Sequence, residues 1–143
     1  MAAPVLTVKE LERLLAVDFP QLLSTHDGLI IEEVWHRGCR VRQAYHHRSL
    51  RPGGTISGAT LMTLGDFAVY VAVLASIGWV PLAVTTNLNI NFLRKPAQRD
   101  LLAECRLLKL GKKLAVGEVA IHSEGDPEPV AHVTSTYSIP PHK

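Results

Sequence analysis

Cysteine is scarce in this chain. Cys39 and Cys105 stand alone in the sequence, without the CxxC or framework spacing of a metal or disulfide scaffold. Both are expected to be reduced and incidental, which fits a cytoplasmic protein. Excess charge is also lacking. Fifteen Lys and Arg against 13 Asp and Glu leave a net charge of +2, and aromatics make up only 6% of residues. Without a basic stripe interleaved with aromatics, nucleic acid is not an expected partner. Met1-Ala2-Ala3-Pro4 has no basic region leading into an apolar run, so secretion is not expected. There is no internal repeat or low-complexity tract. A chain of 143 residues suffices for one core.

Charge is most completely absent between Ser57 and Ile77, where Asp66 is the only ionisable carboxylate or cation. A lone carboxylate among apolar side chains is costly unless paired, hydrogen-bonded or protonated. Such a group is a candidate for chemistry, or else a structural Asp that caps or pairs with a distant cation. The segment has the length of a membrane span, about 20 residues. Against a span stand the central Asp66, at about 2.5–3.5 kcal/mol on insertion scales, and the internal Gly58 and Gly65. No Lys or Arg anchor closes it at Gly78-Trp79-Val80-Pro81. A buried helix wrapped by a sheet is the expected form, with no membrane partner.

Periodicity supplies the rest. Residues 9–17 place Leu11, Leu14, Leu15 and Val17 on one side of a short helix, after Thr7 as a cap. A link containing Pro20 and Asp27-Gly28 leads to strands at 29–36 and 40–47, joined by Arg37-Gly38-Cys39. Pro52-Gly53-Gly54 marks a loop over 48–56. From Thr86, Asn87, Asn89 and Asn91 alternate with Leu88, Ile90 and Phe92, a strand period. Strands at 101–110 and 114–122 flank Gly111-Lys112-Lys113, and 130–139 is a last strand after Gly125-Asp126-Pro127. The expected class is α+β: a curved antiparallel sheet of about six strands around one long central helix. Residues 1–28 form an N-terminal helical segment, 29–139 the domain, and 140–143 a short tail.

Several chemistries are excluded by spacing. Gly53 to Gly58 has the Gly-x4-Gly frame of a phosphate loop, but Ala59 stands where Lys is required. In Gly54-Thr55-Ile56-Ser57-Gly58 the Ser is fourth, where a nucleophile elbow needs it third. The seven histidines show no metal-ligand spacing. His46 and His47 are expected on opposite faces of a strand. No metal site is expected.

What remains is the junction of loop and helix. The first N–H groups of a helix have no intrahelical acceptor and lie at the positive end of its dipole. Gly58, with no side chain, lets a ligand approach its N–H closely, as an oxyanion hole requires. Gly58 and Asp66 are separated by about 12 Å along a helix, too far for both to act on one carbonyl. Eight steps of ~100° bring them to within about 80° of a common face. Two such helices running antiparallel across a two-fold axis would bring Gly58 of one subunit to Asp66 of the other, making the protein an obligate dimer or higher.

Arg51-Pro52-Gly53-Gly54-Thr55-Ile56-Ser57-Gly58-Ala59, Leu64-Gly65-Asp66-Phe67-Ala68 and Asn89-Ile90-Asn91-Phe92-Leu93-Arg94-Lys95-Pro96 resemble the hotdog-fold acyl-CoA thioesterases. The phenylacetate-degradation type is the most similar, and the likeness runs from Leu29 to Tyr137. It implies hydrolysis of an acyl-CoA thioester, with Asp66 as general base or nucleophile and the N–H of Gly58 as oxyanion donor from the opposite subunit. It also implies no metal or redox cofactor, CoA being part of the substrate, and a homodimer assembling to a homotetramer. Where that type carries Asn or Gln, this chain has Arg51; where it reads His-Gly-Gly, this chain has Ser57-Gly58-Ala59. Arg51 then donates to the thioester carbonyl, recognises an acidic acyl group or pairs with Asp66. Thr85 is matched to a hydroxyl that holds the attacking water. Ser57, Thr63 and Tyr70 fall on the substrate side. Arg94, Lys95, Lys112 and Lys113 are candidates for the CoA phosphates. A non-catalytic acyl-CoA-binding module on the same fold is one alternative. An acyl-thioester dehydratase is another, although it needs a His beside the acid and none lies between Leu50 and Ile77.

Overall fold

The computed structural model describes residues 2–20 and 28–141. The link residues 21–27 and the end of the tail, His142 and Lys143, lie outside the described residues. Helix α1 is Val8–Asp18, and its start is a reciprocal cap: Thr7 accepts from Glu10 N–H while the Glu10 carboxylate accepts from Thr7 N–H. Leu11 and Leu15 are fully buried. Val17 is not part of that face; it is 74% exposed, because two residues beyond Leu15 the helix has turned about 200°, to the solvent side.

Strands β1 (Leu29–Trp35) and β2 (Gly38–Gln43) form the first hairpin. Its turn is His36-Arg37, earlier than the expected Arg37-Gly38-Cys39, because Trp35 pairs with Gly38. Arg37 takes a positive φ of 70° there. It is held by Ser76 Oγ, which accepts its N–H at 2.8 Å, and by the carbonyls of Leu107 and Leu108, which accept from its guanidinium. Strand β2 stops at Gln43 rather than running to His47. Beyond the Gln43–Leu101 pair, Asp100 Oδ1 accepts the N–H of Tyr45 at 2.7 Å and takes it out of the ladder. His46 and His47 therefore do not face opposite ways across a strand. Their rings stack at 4.6 Å, and His46 caps a 3-10 turn at His47–Ser49.

The expected loop contains a small hairpin, β3 (Leu50–Arg51) and β4 (Thr55–Ile56), turned by Gly53 and Gly54 at φ of 98° and 76°. Ser57 follows as the N-cap of α2 (Gly58–Ile77), its Oγ accepting from Thr60 N–H at 3.3 Å. By length and composition α2 passes for a membrane span (hydropathy 1.7), yet 72% of that window is buried inside the fold, as in a core helix. At Gly65 the helix lies so close to the sheet that an added Cβ would meet Val133 at 2.9 Å.

Four long strands complete the domain: β5 (Val84–Phe92), β6 (Leu101–Leu110), β7 (Leu114–Ser123) and β8 (Pro129–Ser138). The six-stranded antiparallel sheet has the order β1-β2-β6-β7-β8-β5 and covers α2. The β6–β7 connection is the expected one, with Gly111 N–H donating to the Leu114 carbonyl at 2.8 Å. The cysteines are not isolated in space. Cys39 and Cys105 are register partners on β2 and β6, both buried and unbridged, and Cys39 Sγ donates to the Ala68 carbonyl at 3.0 Å. Burial pushes the Cys39 thiol well up from its ordinary pKa.

Candidate active site

Asp66 sits on α2 at the edge of a cleft of about 360 Å³. Thr63, Phe67 and Tyr70 line it from the same helix, Pro81 and Ala83 from the following connection, Val84 and Thr85 from β5, Tyr137 from β8 and Phe19 from the end of α1. The carboxylate is half-buried and has partners. Thr85 Oγ1 donates to Asp66 Oδ1 at 2.6 Å, and Tyr137 Oη donates to the same oxygen at 2.7 Å. Tyr137 also reaches the Asp66 carbonyl at 3.1 Å. Among the described residues no donor reaches Oδ2, so one oxygen is anchored and the other is free for a proton or a carbon.

The surrounding hydroxyls are kept neutral. Burial raises the Tyr137 phenol far above its ordinary pKa, and the charge of Asp66 adds to this. Burial raises Tyr70 as well, and its hydroxyl is committed to the Pro81 carbonyl at 2.9 Å. The Tyr70 and Tyr137 rings stack at 6.1 Å. Tyr70 is thus wall rather than reactant. Thr85 spends its proton on Asp66, so toward a water it offers lone pairs as an acceptor.

The other candidates gather elsewhere. Arg51, Thr55, Gly58, Leu61, Phe92, Arg94 and Lys95 line a separate cleft of about 420 Å³. Gly58 is the first helical residue; Thr60 and Leu61 direct their N–H groups to the Ser57 carbonyl. The N–H of Gly58 has no acceptor among the described residues. A Cβ here would meet the Phe92 ring at 3.0 Å, so the ring packs closely on the side where a larger residue would carry its side chain. Arg51 is exposed and makes no ion pair among the described residues; in particular it does not pair with Asp66, which lines the other cleft. Arg94 approaches Asp126 at 3.5 Å.

Within one chain, therefore, Asp66, Thr85, Thr63 and Tyr70 come together, as do Gly58, Arg51, Arg94 and Lys95, and the two groups do not meet. Ser57 lines neither cleft; its hydroxyl is occupied by the cap and by Thr60 Oγ1 at 3.0 Å. Lys112 and Lys113, in the β6–β7 turn, also line neither. Tyr137 was missed from sequence. The available signal was a Tyr in phase with the buried Val133 and Ser135 on β8, since a buried phenol needs a partner. Phe19 carried no such signal.

Residues 53–130 match the Thioesterase superfamily. The chain belongs to that superfamily. The matched span includes Gly58, Asp66 and Thr85 but not Arg51, Tyr137 or Phe19. The crystal structure of a candidate thioesterase from Silicibacter sp. TM1040 is 45% identical, with 96% of this chain and 94% of that one covered and a TM-score of 0.86. A candidate esterase of Halobacterium salinarum is 30% identical over 105 residues, which is 69% of this chain and 68% of that protein. The Escherichia coli PaaI protein, from the phenylacetic acid degradation operon, shares 18% identity over 94% of each chain with a TM-score of 0.80, a likeness of fold. The sheet wrapped on α2 is the hotdog fold of these thioesterases, and thioester hydrolysis is the class of reaction that membership supports.

Proposed function

We propose that the chain hydrolyses acyl-CoA thioesters to a carboxylic acid and free CoA, at a site shared between two subunits. The carrying observation is the two-hydroxyl grip on Asp66 Oδ1, which leaves Oδ2 without a donor. In a general-base route, Oδ2 takes a proton from a water as the water oxygen bonds to the thioester carbon; the tetrahedral intermediate then breaks its C–S bond, and the leaving CoA thiolate takes up that proton. In a nucleophilic route, Oδ2 itself bonds to that carbon, CoA leaves as thiolate, and water cleaves the resulting anhydride. Either route places negative charge on the carbonyl oxygen, and the free N–H of a Gly58 is the donor suited to it. Arg51 beside Gly58 is a second donor. Neither route calls for a metal or redox cofactor.

The sheet supports the shared arrangement. Strand β5 is outermost and runs from Thr85, in the Asp66 cleft, to Phe92, in the Gly58 cleft. A long exposed edge strand is a ready template for pairing with another chain. Antiparallel pairing of two β5 strands about a two-fold axis sets the Asp66 end of one against the Gly58 end of the other. The assembly in this reading is a homodimer that pairs into a homotetramer, working in the cytoplasm. Arg94 and Lys95, which line the Gly58 cleft, receive the CoA phosphates, and Lys112 and Lys113 in the β6–β7 turn are the further candidates.

The test is release of free thiol from a panel of acyl-CoAs by wild type and Asp66→Asn. The reading expects turnover by wild type and a loss of at least ~100-fold in the variant, the low end for positioned acid–base catalysis. Acyl-CoA binding without turnover by wild type would make the chain a binding module instead.

A further inference from the structure

We infer that Phe19, from the N-terminal segment, selects the acyl group by forming an apolar wall of the Asp66 cleft. The inference rests on the reading that this cleft is where the thioester reacts. Phe19 follows α1 directly, and its N–H donates to the Leu15 carbonyl at 2.8 Å. The helix that carries it is fixed at three places. Its start is capped by Thr7 and Glu10, its middle buries Leu11 and Leu15 completely, and its end is tied where Trp79 Nε1 donates to Asp18 at 3.1 Å. The partly buried Phe19 ring packs against the core and lines the cleft with Phe67, Tyr70 and Pro81.

The two clefts differ in chemistry. Arg51, Arg94 and Lys95 surround the Gly58 cleft, whereas among the described residues Asp66 is the only ionisable carboxylate or cation lining the other, whose walls beside Thr63 and Thr85 are aromatic and apolar. Within one chain, Asp66 would repel an anionic acyl group, and no cation among the described residues lines this cleft to receive one; the Arg51 that the shared site brings in stands with Gly58 at the carbonyl end. The aromatic and apolar walls suit an apolar acyl chain, and they limit its size. Helix α2 and β5 supply walls that also carry Asp66 and Thr85. Phe19 belongs to neither element, and it lies outside the span matched to the superfamily, 53–130. It is a wall that can change without replacing Asp66 or either hydroxyl that holds it.

The experiment measures kcat/KM over straight-chain acyl-CoAs from acetyl to palmitoyl for wild type, Phe19→Ala, Phe19→Trp and Asp66→Asn. Phe19→Ala should raise the ratio of long-chain to short-chain kcat/KM by about tenfold or more, the scale on which an apolar pocket reads a methylene. Phe19→Trp should shift the optimum to shorter chains. If Phe19→Ala fails to fold, Phe19→Leu should move the profile in the same direction. A profile unchanged in every folded Phe19 variant, with Asp66→Asn inactive, overturns the role of Phe19 and leaves the site intact. An Asp66→Asn protein that still hydrolyses, or a wild type that hydrolyses none of the series, overturns both readings.

Discussion

Thr85 and Tyr137 are register partners on β5 and β8, and both hydroxyls end on the same oxygen of Asp66, at 2.6 and 2.7 Å. Two strands and a helix are thereby joined through one carboxylate. The arrangement fixes the carboxylate plane and leaves its second oxygen without a donor among the described residues. It also removes the energetic objection to a charge in so apolar a helix, since a hydrogen bond to an ionised group contributes about 1.5–3 kcal/mol.

If that grip orients Asp66 for reaction, Tyr137→Phe should lower turnover on the order of tenfold, comparable to losing one such hydrogen bond. The phenyl ring can still stack on Tyr70, so melting should shift only slightly. Thr85→Val, similar in shape, should act likewise. Wild-type turnover in both variants, with earlier melting, would mark the hydroxyls as structural.

Asp66→Asn retains an oxygen to accept from Thr85 and Tyr137. Its melting temperature should therefore stay within a few degrees of wild type while hydrolysis is lost. An unpaired buried charge would be costly, so its removal would stabilise the protein; with two hydroxyl donors in place, that gain is not expected. Differential scanning calorimetry beside thiol-release kinetics checks this. An early-melting, active variant would contradict it.

Much of this was legible because hydrophobic period and turn chemistry are local. The cap at Thr7, the Ser57 start of α2 and the Gly111 turn needed no tertiary information. The end of β2 did, because it depends on an Asp100 side chain far along the chain taking the Tyr45 N–H. The Arg37 turn likewise depends on Ser76 and two distant carbonyls. In the site, Asp66 stood out by its isolation among apolar residues. Tyr137 and Phe19 did not, since an aromatic on a strand or beside a helix end reads as core until its neighbours are known.

Arg51 lines the Gly58 cleft without an acidic partner among the described residues. If it donates to the thioester or to the acyl head, Arg51→Ala should lower turnover by about 10- to 1000-fold, the scale of one transition-state donor. Recovery in Arg51→Asn or Arg51→Gln would assign the role to hydrogen bonding rather than charge. Unchanged kinetics in Arg51→Ala would remove it from the site.

Attraction between the CoA phosphates and rim cations is screened by salt, with a Debye length of about 8 Å at 0.15 M. KM for acyl-CoA should rise with ionic strength, and charge reversal at Arg94 and Lys95, or at Lys112 and Lys113, should raise it further. A KM indifferent to salt and to both double variants would place the phosphates elsewhere.

The claim that Asp66 works with the Gly58 of another subunit is tested most directly by complementation between two inactive proteins. Gly58→Pro removes the oxyanion N–H at the first helical position, where the proline backbone is well tolerated and its Cβ requires only a small shift of the Phe92 ring, 3.0 Å away. Ser57 already has the extended backbone that a following proline requires, φ −67° and ψ 150°. Each variant alone, Gly58→Pro or Asp66→Asn, should be inactive, and light scattering should show each as a dimer or higher. Co-expressed and randomly paired in two-fold dimers, they should recover about a quarter of wild-type activity, because one site in each mixed dimer keeps both groups. Mixed dimers with no more activity than either parent would contradict the shared site.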